Sequence, residues 1–70
     1  MASQEYEACL KACEEALNTL EHKKFYLNVL ADKAPQSERL AIRMAHGHIL
    51  KSIIDVERAI EALTKLKDII

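Results

Sequence analysis

At 70 residues and 7.9 kDa the chain makes one small domain at most, half of it apolar. One Gly, one Pro and 4% aromatics exclude a β-sandwich or barrel, which needs turn residues every few positions. A formal net charge of −1 with 30% charged residues carries no global bias toward nucleic acid or membrane.

The first residues, Met-Ala-Ser-Gln-Glu, lack the basic stretch and apolar core of a secretory leader. No run of roughly 18 apolar residues occurs to span a bilayer. The expected setting is the cytoplasm.

In chain order, the first element is a helix over about residues 4–33. Tyr6, Cys9, Leu10, Cys13, Ala16, Leu17, Leu20, Leu27 and Ala31 recur on one face at helical spacing. The only break is Ala31-Asp32-Lys33-Ala34-Pro35-Gln36-Ser37-Glu38. Pro35 disfavours helix at Ala34, and Ser37 is a good N-cap for a helix beginning at Glu38, although Pro35 and Gln36 equally suit an earlier first turn. The turn is therefore expected at about 33–37 and a second helix at about 37–69.

That second helix carries Ile42, Ile49, Val56, Leu63 and Ile70 at seven-residue intervals, with Ile53 and Ile60 on the adjacent line. Ala45, Ser52, Ala59 and Leu66 flank it on one side. The heptad crosses Gly47 unbroken, and nothing beside Gly47 caps a helix.

Two helices of this length joined by so short a link return antiparallel, pairing residues whose numbers add to about 70. Each helix then has one neighbour and buries far less than in a compact globule, so the chain needs a disulfide, a metal or another subunit. The fold expected is an all-α antiparallel hairpin, coiled-coil-like, self-associating into a four-helix bundle. Its self-association seam is Ile42, Ile49, Ile53, Val56, Ile60 and Leu63.

A second apolar set lies off that seam. Leu40, Gly47 and Ile54 repeat every seven residues nearly opposite it, flanked by Met44 and Leu50. Phe25, Tyr26 and Val29 lie off the first helix's seam, at a similar height in a hairpin. These eight residues are the expected partner-binding surface. Leu40, Met44, Leu50 and Ile54 form the groove, Phe25, Tyr26 and Val29 its rim.

Charge is segregated. Residues 1–21 hold five Glu and one Lys (−4), residues 22–48 five Lys/Arg and two acids (+3), and residues 49–70 balance. A basic loop end and an acidic open end favour two hairpins packed with opposite polarity. The cations Lys23, Lys24, Lys33, Arg39 and Arg43 are scattered and partly offset by Asp32 and Glu38, a weak pattern for nucleic acid.

Catalytic and metal chemistry find little to work with. No Ser-His-acid set or phosphate-cradling glycine loop occurs, and no Glu-x-x-His carboxylate motif. His22, His46 and His48 do not converge, since rings at i and i+2 stand about 200° apart on a helix. Cys9 and Cys13 share a helix face one turn apart, where thiols act as small hydrophobes or as a soft-metal pair.

Glu7-Ala8-Cys9-Leu10-Lys11-Ala12-Cys13 followed by Glu21-His22 resembles the start of the cysteine-rich four-helix copper-storage proteins. That family repeats Cys-x-x-x-Cys through the bundle interior. Here the later repeat positions hold Ala16, Leu20, Lys23 and Leu27, so the resemblance covers under a quarter of the chain and does not extend to copper storage. The second helix also resembles, in apolar spacing, the small hairpins that act as co-chaperones of type III secretion needle subunits.

The functional expectation is a non-enzymatic helical interaction module, a small adaptor or inhibitor acting by helix packing. Its partners are itself, as a homodimer or higher even oligomer, and another helical protein. No catalytic residue, cofactor, metal site, nucleic acid or membrane partner is expected. The alternatives are a needle-subunit co-chaperone, soft-metal binding through Cys9 and Cys13, and an engineered bundle, which the strict Ile heptad suits but Lys23, Lys24 and Gly47 do not.

Overall fold

The computed structural model describes residues 2–69, so the Ile70 heptad position lies outside the described residues. Two α-helices, α1 (Gln4–Lys33) and α2 (Gln36–Lys67), pack against each other as an antiparallel hairpin. The molecule is a rod of 53 × 14 × 12 Å.

α1 starts where its orphan amides find acceptors. The Ser3 hydroxyl accepts from the Tyr6 amide at 3.2 Å and the Ser3 carbonyl from the Glu7 amide at 3.1 Å, with Glu5 and Glu7 in the positive first turn. It ends because Pro35 forces Ala34 into extended backbone (φ −74°, ψ 153°). The Ala34 amide still donates to the Leu30 carbonyl at 2.9 Å, and Arg39 Nε holds the Ala34 carbonyl at 3.0 Å.

Of the two starts open to α2, the structure takes the earlier. Pro35, not Ser37, occupies the N-cap, with no side-chain cap bond, and Ser37 lies inside the first turn. A proline φ of −56° already suits helix entry, and the Glu38 amide finds the Pro35 carbonyl at 2.9 Å. α2 stops at Lys67, two residues before the expected end, where the Ile69 amide closes a tighter turn onto the Leu66 carbonyl at 3.0 Å. Between these ends α2 passes through Gly47 without interruption, which costs about 1 kcal/mol of helix propensity against alanine.

The core is a single seam. On α1 it runs through Tyr6, Leu10, Cys13, Leu17, Leu20, Lys24, Leu27 and Ala31, in alternating steps of four and three. On α2 it runs through Ile42, His46, Ile49, Ile53, Val56, Ile60 and Leu63 in the same steps. Only Ala31 (1% exposed) and Ile53 (5%) are buried, and the rest are half-buried. Cys9 and Ala16, expected on this face, are exposed instead. One neighbouring helix covers a stripe two positions wide per heptad, and both residues fall one line beyond it.

Three cross-helix contacts fix the register. The Tyr6 hydroxyl donates to the Leu63 carbonyl, a pair whose numbers add to 69. The ion pairs Glu7–Lys67 (3.0 Å) and Asp32–Arg43 (3.6 Å) add to 74 and 75. Long side chains lean toward the N-terminus of their own helix, so tips that meet belong to residues with larger totals than level backbone positions. All three agree with a reversal at Pro35.

Because Ile53 is, among the described residues, the one large side chain the hairpin buries, Ile53→Ala is expected to cost about 2–5 kcal/mol and to abolish most of the helicity seen by circular dichroism. Ile54→Ala, one residue on and half exposed, removes no contact of the seam and is expected to cost less than Ile53→Ala at equal chain concentration.

Candidate interaction surface

The hairpin has two broad faces, and the Asp32–Arg43 pair identifies which flanks share one. Asp32 holds the same heptad position as Phe25, and Arg43 the same as Leu50. Phe25 therefore leans toward the face that carries Leu50 and, farther round α2, the line Leu40, Gly47 and Ile54. Met44 follows on the outer side of α2. All five large residues of this set are exposed, from Leu50 at 39% to Leu40 at 72%.

Tyr26 and Val29 are not brought to this face. Successive helical residues turn by about 100°, so Tyr26 leaves α1 toward the opposite face while Phe25 does not. The Lys23 ammonium sits 6.0 Å from the centre of the Tyr26 ring, within cation–π range. Val29 is half-buried on the back of α1. The expected rim thus separates, and the groove residues on α2 stay together.

Gly47 sits in the middle of the strip, and a Cβ built on it meets nothing within 4 Å. Its backbone is ordinary right-handed helix. Neither close packing inside the hairpin nor backbone conformation calls for a glycine here.

Beside Tyr26, the opposite face carries small side chains, Ala12, Ala16 and Thr19 of α1 and Ala41, Ala45, Ala59 and Ala62 of α2, all exposed. Beyond the last layer of the seam, Leu66 (49%) and Ile69 (79%) are exposed at the open end. The sequence reading placed Leu66 on a flank of the seam and did not single out Ile69, which lies past the level of the first residue of α1.

Several of the charges are engaged within the chain. Lys24 pairs with Glu21 at 3.0 Å, Arg43 with Asp32, and Arg39 with the Ala34 carbonyl; among the described residues Lys33 makes no such bond. Along α2, Lys65 pairs with Glu61 at 3.0 Å, and hydrogen bonding to that ammonium holds the Glu61 carboxyl below its ordinary range. At the open end the hydrogen bond and charge of Glu7 raise the Lys67 ammonium above the ordinary lysine value.

Cys13 is half-buried and Cys9 exposed, both free. Burial first, then the Cys9 sulfur, push the Cys13 thiol up, the direction opposite to a thiolate poised for metal or nucleophilic work. Among the described residues no three His, Cys, Asp or Glu side chains gather as a metal set, and no helix is long and apolar enough to cross a membrane. His46 is half-buried in the seam, whereas His22 and His48 are exposed.

No family model, curated protein or solved structure matches the chain.

The Glu7–Lys67 pair ties the two free ends of the helices together. Since the folded-state value of Lys67 is raised, its contribution is complete below the ordinary lysine range and disappears as pH rises through the raised value. Alkaline titration is expected to fray the last turn of α2, read from the backbone chemical shifts of Leu66 and Lys67, with Ile53 unmoved. In Glu7→Gln that alkaline step should vanish, and about 1 M salt should erase most of it in the unaltered chain.

Proposed function

We propose that the chain is a non-enzymatic helix-packing module that works as a homodimer, or a higher even oligomer, in which two hairpins build a four-helix bundle. The observation that carries this reading is the mismatch between what the hairpin buries and what it exposes. Among the described residues Ile53 is the only large apolar side chain it buries, while Phe25, Leu40, Met44, Leu50 and Ile54 stand in solvent on one side. A contiguous apolar strip of that kind marks a protein–protein contact.

Two further features support it. The half-buried seam residues Ile42, Ile49, Val56, Ile60 and Leu63 keep accessible edges that a second hairpin covers. Segregated charge, −4 over residues 1–21 and +3 over residues 22–48, attracts hairpins of opposite polarity. The free thiols suit a reducing compartment such as the cytoplasm.

The second reading is an adaptor or inhibitor whose strip on α2 seats an amphipathic helix of a different protein by helix-in-groove packing. It is favoured by the same exposed residues and differs in the occupant. A needle-subunit co-chaperone is one form of it.

Absolute mass by light scattering across a hundredfold dilution, with helicity followed in parallel, tests self-association. The expected result is a helical particle of twice the 7.9 kDa chain mass. A fully helical 7.9 kDa monomer at every concentration would sink the proposal.

A further inference from the structure

The two free thiols take no part in the fold's register or in the strip on α2. We propose that Cys9 and Cys13 form a two-sulfur site for a soft monovalent metal ion of the Cu(I) type, one ion per chain. The site needs only α1 and does not depend on self-association.

The geometry comes from the helix. α1 runs unbroken from Gln4 to Lys33, so residues four apart stand one above the other on the same flank. Their Cβ atoms lie about 5–6 Å apart. Metal–thiolate bonds of roughly 2.3 Å place two sulfurs held in line by one ion about 4.6 Å apart, a span this spacing reaches. The sulfurs already face each other, since Cys9 is a hydrogen-bond partner of the Cys13 thiol. Cys9 is exposed and Cys13 half-buried, so an ion arrives at the outer sulfur and is closed in by the inner one.

The donor set selects the ion. Soft thiolates suit Cu(I), zinc and iron–sulfur clusters. Zinc takes four ligands, or three and a water, and the clusters take four cysteines. Among the described residues no third His, Cys, Asp or Glu joins the pair. Two sulfurs alone satisfy a filled-shell monovalent ion that accepts two ligands in line. The surroundings agree: Ala16 holds the heptad position of Cys9, Ala12 lies between the thiols in sequence, and α2 carries Ala59 and Ala62 on that face. These methyl groups leave the sulfurs accessible and supply no competing donor.

Burial and the neighbouring sulfur both disfavour a bare thiolate at Cys13. The ion therefore makes the site rather than finding it charged, and a cation between the sulfurs cancels their mutual repulsion. Binding breaks two S–H bonds, forms two sulfur–metal bonds and releases two protons to solvent, with the oxidation state of the metal unchanged.

The test titrates the full chain anaerobically with Cu(I) buffered by a competing chelator, reading metal per chain and sulfur-to-copper charge-transfer absorption. One ion per chain with two sulfur neighbours by X-ray absorption is expected. Affinity should fall by up to about a hundredfold for each pH unit lowered, as release of two protons requires. Cys9→Ser, at an exposed position, should keep full helicity and lose at least a hundredfold in affinity, and Cys13→Ser should match it. Cys13→Ser combined with Glu14→Cys keeps two thiols but turns them about 140° apart on the helix, and should bind no better than a single-thiol chain.

A Cys9→Ser chain with undiminished affinity, or a displaced pair that binds equally well, would overturn the site. So would an ion with four sulfur neighbours shared between two chains, or no uptake against the chelator at all.

Discussion

Everything in this molecule depends on the packing of one helix against one other along a stripe two residues wide. A helix in a globular domain meets several neighbours and shares its burial among them. Here α1 and α2 have only each other, and the seam covers Ala31 and Ile53 while leaving its other members half in water. Most helical stability comes from tertiary packing of an apolar face rather than from intrinsic propensity. A 53 Å rod with so thin a core therefore draws unusually little support from within.

The ends show how this weak seam is kept in register. Pro35 forces the reversal, Arg39 ties the link to the end of α1, and Glu7–Lys67 together with the Tyr6–Leu63 bond closes the far end. None of these is a strong interaction, since exposed ion pairs contribute little individually. Their value lies in direction: they choose one alignment among the slips that a repeating Ile seam permits. Specification of register and supply of stability are thus divided between polar ends and apolar middle.

Much of the architecture was legible in the sequence. The heptad from Ile42 to Leu63 defines the inner line of α2, and the single proline marks the only reversal. Other features needed the three-dimensional arrangement. Cys9 and Ala16 obey the helical period yet miss the seam, because periodicity gives a direction and not the width of the covering neighbour. Phe25 and Tyr26 are adjacent in the chain but leave on different faces, a separation visible only once Asp32–Arg43 shows how the flanks of the two helices meet. The choice of Pro35 over Ser37 as N-cap reflects a proline already holding the entry geometry, against a cap residue that propensity alone prefers. The exposed strip on α2 was visible as a second repeat through Leu40, Gly47 and Ile54; that nothing inside the hairpin touches Gly47 was not.

The central claim is that folding of this hairpin is coupled to covering its exposed strip with a second copy. Thermal unfolding followed by circular dichroism over a hundredfold range of protein concentration tests that coupling most directly, because association stabilises by mass action. The account predicts a midpoint that climbs steadily with concentration. A sharp transition at the same temperature at every concentration would contradict it, and would mean that two helices with one thin seam are sufficient alone.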